Sequence, residues 1–197
     1  MKLAFCLPKY FQFGGLQSNF MRIAEQCRLR GWRIVVYTLA WEGEIPAGFT
    51  VHVPPLRALR NHTRNVEFAR KVQPLLRQGN FDVVIGFMKM PGLDLYYAAD
   101  PCFQHKARRH RQRWYRLGAR YRHFAAFEQA VFGADHHTEI LILTESEMAN
   151  YVACYGTQQK RFHLLPPGIS RDRMAPENAA EIMSRLREIR DRIVNLG

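Results

Sequence analysis

Short, nearly unbroken apolar runs rich in valine and isoleucine recur along this chain, and stretches of helical spacing separate them. A strand apolar on both faces has to be covered on both, and the helices between successive strands supply that cover. The pattern predicts strands over residues 2–7, 33–39, 50–53, 81–87, 139–143 and 162–165. Helices are predicted over residues 16–30, 65–78, 105–132 with a break near Gly118, 144–155 and 177–194. The 65–78 helix is marked by Val66, Ala69, Val72 and Leu76 at helical spacing. Thr144 and Glu147 form a capping-box pair at the start of the 144–155 helix. Alternating strands and helices of this length make a doubly wound α/β fold around a parallel sheet. A composition shift at residues 170–178 reads as a linker. The expected organisation is one domain over residues 1–174, then linker and helix over 175–197.

The chain begins Met1-Lys2-Leu3-Ala4-Phe5-Cys6-Leu7, which superficially looks like a leader peptide. Pro8, Lys9 and Tyr10 cut the apolar stretch short and no small-residue cleavage site follows, so it reads as a buried first strand. No run of eighteen apolar residues occurs, so no bilayer span is expected. The cysteines at 6, 27, 102 and 154 form no metal-ligand pair and read as free thiols of a reducing compartment. Among the histidines, His62, His105, His110, His123, His136, His137 and His163 show no zinc-ligand spacing, so no metal is assigned.

The first strand runs through Phe13-Gly14-Gly15-Leu16-Gln17 straight into a helix. Glycines here let the backbone turn and approach a ligand, and a helix start offers unpaired N–H groups and a positive dipole end. Taken alone, the pair fits a phosphate site and an ordinary strand-to-helix turn equally well. It does not match the three-glycine dinucleotide fingerprint.

The strings Ala4-Phe5-Cys6-Leu7, Lys9-Tyr10-Phe11 and Phe13-Gly14-Gly15-Leu16-Gln17 resemble the bacterial lipopolysaccharide core glucosyltransferases of glycosyltransferase family 4. The resemblance continues through Tyr37-Thr38, Trp41-Glu42-Gly43, Lys89-Met90-Pro91-Gly92-Leu93-Asp94 and Ala98-Ala99-Asp100. It resumes at Arg116-Leu117, Arg120-Tyr121-Arg122-His123, Ala125-Ala126-Phe127-Glu128, residues 164–169 and Asp172-Arg173. The strings keep their order over residues 1–174. The resemblance implies a GT-B arrangement of two facing Rossmann-like domains, of which this is the N-terminal, acceptor-side one. It further implies retaining transfer of glucose from UDP-glucose to an inner-core heptose, with no metal and no cofactor beyond the donor substrate. Gly14 and Gly15 would then face the donor diphosphate, joined by Arg173 just past the Pro166-Pro167-Gly168 motif. A guanidinium and an N–H nest both stabilise a departing diphosphate. Without the resemblance, Arg173 reads as a solvated linker charge.

Asp100 and Lys89 fall at the carboxyl edge, where open α/β sheets bind ligands. They are the acceptor candidates, Asp100 for a sugar hydroxyl and Lys89 for a phosphate. The alternatives are a helix cap for Asp100 and a solvated Lys89. Some positions depart from the family pattern: Pro8 and Gln12 stand for tyrosine and proline, and Ser18 and Asn19 for an Arg-Asp pair. Asn19 brings neither charge nor base. Asp82, Asp94 and Glu42 are carboxylates without an assigned catalytic role. The family's second domain carries most nucleotide contacts, so this polypeptide alone is expected to transfer no sugar.

The net charge of +12 draws the chain toward something anionic. Between Asp100 and Glu128 lie eight basic residues and no acid: Lys106, Arg108, Arg109, Arg111, Arg113, Arg116, Arg120 and Arg122. Wound as one helix, Lys106, Arg109, Arg113, Arg116 and Arg120 form a stripe, with Trp114, Leu117, Tyr121 and Phe124 beside it. Such a face suits the headgroup layer of an anionic membrane. The resemblance agrees, implying a peripheral position on the cytoplasmic side of the inner membrane. A solvated outer face over a packed apolar stripe fits the same residues equally. Nucleic-acid binding ranks third, since no groove-reading or RNA-binding motif accompanies the charge. The competing function is a non-catalytic fragment that only binds membrane or acceptor.

Overall fold

The computed structural model describes residues 1–165 and Ser184, so the expected linker, the 177–194 helix apart from Ser184, and Arg173 lie outside the described residues. Seven parallel strands form one sheet: β1 (Lys2–Leu7), β2 (Arg33–Thr38), β3 (Phe49–His52), β4 (Val83–Gly86), β5 (Leu95–Ala98), β6 (Glu139–Ile142) and β7 (Phe162–Leu164). Five α-helices accompany them among residues 1–165: α1 (Gly15–Leu29), α2 (Asn61–Gln78), α3 (Phe103–His110), α4 (Ala119–Phe132) and α5 (Glu145–Tyr155). The strand order β3-β2-β1-β4-β5-β6-β7 is Rossmann-like, as the alternation of strands and helices required.

Side chains of β1 alternate between the two faces of the sheet. Ala4 and Cys6 join the core built with Phe68, Ala69, Val72 and Leu76 of α2 and with Phe132 and Tyr151 of α4 and α5. Leu3, Phe5 and Leu7 join the opposite core with Phe20, Ala24 and Cys27 of α1. Two apolar faces therefore explain the unbroken apolar strand sequence. All four cysteines are free, and three of them are buried. Burial alone pushes the Cys6 thiol up to about 12, so it stays a neutral packing group.

Three expectations change. Strand β5 was not among the expected strands, because Leu95–Ala98 is four residues with two tyrosines between polar flanks. Helix α2 begins four residues before the expected start, at Asn61. The long helix expected over 105–132 is three pieces: α3, a 3₁₀ segment at Arg113–Leu117, and α4. Extended backbone at Arg111, Gln112 and Gly118 separates them. Like charges at i,i+3 and i,i+4 spacing, without acids to offset them, oppose one continuous helix, and Gly118 weakens it further.

The loop entering α2 is held by Glu67. Its carboxylate accepts from the Arg57 N–H at 3.0 Å and the Ala58 N–H at 2.9 Å and pairs with Lys71 at 3.1 Å. The backbone bonds, first that from Ala58, hold this carboxyl at about 2, below its ordinary 4.5. A carboxyl depressed on folding stabilises fully above its unfolded value and loses that contribution as pH falls toward its folded value. Amide protection at Arg57 and Ala58 is therefore expected to fall between about pH 4.5 and 2, and Glu67→Gln is expected to abolish that pH dependence. Hydrogen-exchange protection factors measured across the range test this.

Candidate functional site

Chain direction across the sheet reverses between β1 and β4, which are neighbours although two strands intervene in sequence. At such a switch point the loops leaving adjacent strands diverge and open a crevice at their carboxyl ends. A cleft of about 320 Å³ occupies that place, walled by Pro8 after β1, Met88 and Lys89 after β4, Asp100 after β5, and Phe103 and Lys106 of α3.

Gly14 and Gly15 lie on the β1 side of the switch point, at the start of α1. Gly14 is the N-cap residue and offers no side-chain cap, and the first turn has no acidic residue. The earliest bond at this end is from the Ser18 N–H to the Gly14 carbonyl, 2.8 Å. The N–H groups of Gly15, Leu16 and Gln17 have no partner among the described residues. The two glycines differ in what makes them small. A Cβ on Gly14 would stand 1.9 Å from Oε1 of Gln17 and 2.9 Å from the Phe11 ring. Gln17 cannot easily yield, being buried and donating to the Lys9 carbonyl at 2.8 Å. A Cβ on Gly15 would meet nothing within 4 Å, and Gly15 has no positive φ. No contact among the described residues requires glycine at 15. The bend is also open: Gly15 is exposed, and Phe13 before it is 94% exposed.

A stacked pair of rings steadies this loop from behind. Tyr10 lies over Trp41 with ring centroids 4.0 Å apart, and Phe20 of α1 packs edge-on to both. Lys9 pairs with Glu42 at 2.6 Å. Glu42 is thus part of the loop's framework. Asp82 and Asp94 serve the same kind of purpose, accepting from the Lys2 N–H at 2.6 Å and the Val84 N–H at 2.8 Å. Asn19 donates to the Tyr97 hydroxyl at 2.9 Å.

The acceptor candidates meet at the cleft but in unequal states. Asp100 is exposed, with its carboxylate unpartnered among the described residues and its carbonyl accepting from the Tyr151 hydroxyl at 2.9 Å. It does not cap α3, whose N-cap is Cys102. Lys89 is not a solvated surface cation. Its ammonium lies 2.5 Å from Glu128 and also donates to the Pro101 carbonyl at 3.2 Å, under the rings of Tyr151 and Phe132. Most of its charge is therefore neutralised inside the protein.

Sequence reading gave Glu128 no role. Its carboxylate is fully buried and accepts from Lys89, from the Tyr155 hydroxyl at 2.6 Å, and from the N–H groups of Phe103 and Gln104 at 2.9 Å each. Those two N–H groups open α3, so Glu128 of α4 serves as the cap that α3 lacks in its own sequence. Burial first, then this charge, pushes the Tyr155 hydroxyl and the Cys102 thiol far up, so both stay protonated. Glu147 adds a second clamp, accepting from the Cys102 N–H at 2.9 Å. The Thr144–Glu147 pair is thus half a capping box: Thr144 accepts from the Glu147 N–H at 3.4 Å, while the Glu147 carboxylate serves α3.

The basic segment divides by surroundings. Trp114 and Leu117 are 70% and 78% exposed, whereas Tyr121 is buried against Phe103. The expected single apolar stripe therefore does not exist. Arg109 is exposed and Arg116 half-buried, and neither has an acidic partner among the described residues. No helix among the described residues is long and apolar enough to cross a membrane.

A parallel sheet with a switch-point cleft and a bare helix start defines a Rossmann-type domain, and the chain belongs to glycosyltransferase family 4, whose profile matches residues 13–173. It is 46% identical over 185 residues to lipopolysaccharide glucosyltransferase WaaG of Escherichia coli (strain K12), an alignment covering 92% of this chain and 50% of that enzyme. The crystal structure of WaaG, a glycosyltransferase involved in lipopolysaccharide biosynthesis, has a TM-score of 0.85 and 44% identity to it, over 95% of this chain and 51% of that one. The GT-B expectation for the fold therefore holds. The chain spans about half the length of the relatives it matches.

Proposed function

We propose that this chain is the acceptor-side domain of a lipopolysaccharide core hexosyltransferase, one that moves glucose from UDP-glucose to an inner-core heptose with retention. The observation that carries this reading is the bare, exposed helix start at Gly15, which follows β1 in a family 4 chain and lines none of the clefts described. Three N–H groups unpaired among the described residues and a positive helix end suit the diphosphate of the donor, where charge gathers as the sugar leaves. Arg173, outside the described residues, joins the donor side in this reading. Asp100 takes a hydroxyl of the acceptor. Lys89, tied to Glu128, shapes the cleft wall and presents little free charge.

Sugar nucleotides need two walls to be oriented and shielded from water. The chain alone is therefore expected to give no glucosyl transfer from UDP-glucose to a heptose-terminated acceptor, and to give it once the second half is joined. Turnover by the chain alone, or none after joining, would overturn the respective half of the reading.

A second reading concerns place. Trp114 and Leu117 stand exposed in the same basic segment as the exposed Arg109 and half-buried Arg116, a composition suited to an anionic headgroup layer. In this reading Arg109, Arg113, Trp114 and Arg116 hold the domain at the cytoplasmic face of the inner membrane, while Lys106 and Arg120 line the cleft beside α3. Each cation adds about 1 kcal/mol near such a surface. Neutralising Arg109, Arg113 and Arg116 together is thus expected to weaken capture by phosphatidylglycerol vesicles on the order of 100-fold. Flotation measures it, and equal retention on DNA and lipid would reduce the effect to unspecific charge.

A further inference from the structure

Helix α3 walls the 320 Å³ cleft through Phe103 and Lys106. The same two residues wall a second cleft of about 280 Å³, completed by Ala107, Arg111, Tyr115 and Arg120. The two clefts are neighbours across these shared residues, and their charge differs. The first holds Asp100 and the neutralised Lys89. The second holds three cations, Lys106, Arg111 and Arg120, and no acid lines it.

These three cations have no acidic partner among the described residues. Both guanidinium groups are seated on aromatic rings, Arg111 over Tyr115 at 5.4 Å and Arg120 over Phe124 at 5.8 Å. A ring beneath the plane holds a guanidinium still and leaves its N–H edges open, the geometry that grips a carboxylate or phosphate in two bonds. A concave wall of one sign also concentrates its field within the cleft. The volume is near the small end of ligand pockets, roughly 300–1,000 Å³. A bilayer surface cannot enter such a concavity. Arg108, Arg109 and Arg116 line neither cleft and remain available to a flat anionic surface.

We propose that the cleft between α3, the 3₁₀ segment and α4 is a subsite for a negatively charged sugar next to the reacting one, its carboxylate or phosphate held by Lys106, Arg111 and Arg120. The inference rests on the reading that the carboxyl-edge cleft takes an acceptor saccharide. It adds that this acceptor is recognised by charge one residue away from the point of transfer. The basic segment then has two populations, an inner one that reads the acceptor and an outer one that faces the membrane.

The test uses the 197-residue chain, titrated with digalacturonate, glucose 6-phosphate and neutral maltose while the arginine Nε–H resonances are followed by NMR. Arg111 and Arg120 are expected to respond to the charged sugars and not to maltose. Lys106→Gln/Arg111→Gln/Arg120→Gln should weaken binding about tenfold or more, and Arg108→Gln/Arg109→Gln/Arg116→Gln should change it less than about twofold. Arg111→Lys and Arg120→Lys keep the charge but lose the fork; each is expected to weaken binding about threefold, so a misfolded triple variant would not leave the matter open. Response to digalacturonate alone assigns a carboxylate, and response to glucose 6-phosphate alone a phosphate; either supports the subsite. Charged sugars binding no better than maltose would overturn it. So would equal loss in the inner and outer variants, or inner variants that lose only phosphatidylglycerol vesicles. Glucosyl transfer by the chain joined to its second half is a separate readout: transfer intact with no charged-sugar response refutes the subsite only.

Discussion

Glu128→Ala is expected to lower the thermal midpoint by about 10 °C, because breaking a buried ion pair costs about 3–5 kcal/mol and each kcal/mol is worth about 2–4 °C at this chain length. Three losses coincide. Lys89 keeps a charge at a side chain only 14% exposed, the Phe103 and Gln104 N–H groups lose their acceptor, and the Tyr155 hydroxyl loses its own. The desolvation penalty falls on whatever is left behind, so the partner decides the outcome. Glu128→Gln keeps an acceptor for α3 but presents an amide toward Lys89, and it should cost less than alanine. Lys89→Met combined with Glu128→Gln should cost less than the two single changes added, since it leaves no buried charge unpaired. Calorimetric melting of the four proteins completes the cycle. A Glu128→Ala loss under about 1 kcal/mol would show that α3 is held by something other than this carboxylate.

That carboxylate illustrates which parts of the molecule could be read from the residues alone. The sheet was legible because a two-faced strand must be apolar throughout, and Leu3 to Leu7 or Ile34 to Val36 leave no other reading. The glycine bend was legible because it joins such a strand to a helix. Strand β5 was not, since four residues carry too little pattern and its tyrosines are buried by tertiary packing, on Phe87 and Phe132 among others. The state of Lys89 was hidden because its partner is thirty-nine residues away on another element. One signal did exist: Glu128 is the first acid after Asp100 in a stretch dense with arginine. An acid so placed has a specific cationic or N–H partner more often than open solvent. The division of the basic segment was out of reach, because helical spacing is meaningless across the extended backbone at Arg111, Gln112 and Gly118.

Gly15→Asp should separate fold from function, leaving the thermal midpoint unchanged or slightly raised while cutting glucosyl transfer about 100-fold or more. Position 15 is the first of α1, has no positive φ and has open space around it, so a side chain adds no strain. An acid in the first turn favours the helix by about 0.3–1 kcal/mol through its dipole. The same carboxylate occupies the N–H groups proposed for the donor diphosphate and would repel it, and losing such stabilisation costs about 10²–10³ in rate. Gly14→Ala should behave in the opposite way, because its Cβ displaces the buried Gln17 amide and loosens the loop. Transfer is measured with the chain joined to the carboxyl-terminal half of WaaG. In the chain alone, pyrophosphate should shift the Gly15, Leu16 and Gln17 amide resonances, and Gly15→Asp should erase that response. If the aspartate variant transfers glucose at the parent rate, the helix start is not where the diphosphate sits. Its bareness would then be a matter of folding, which the open space at Gly15 gives no reason to expect.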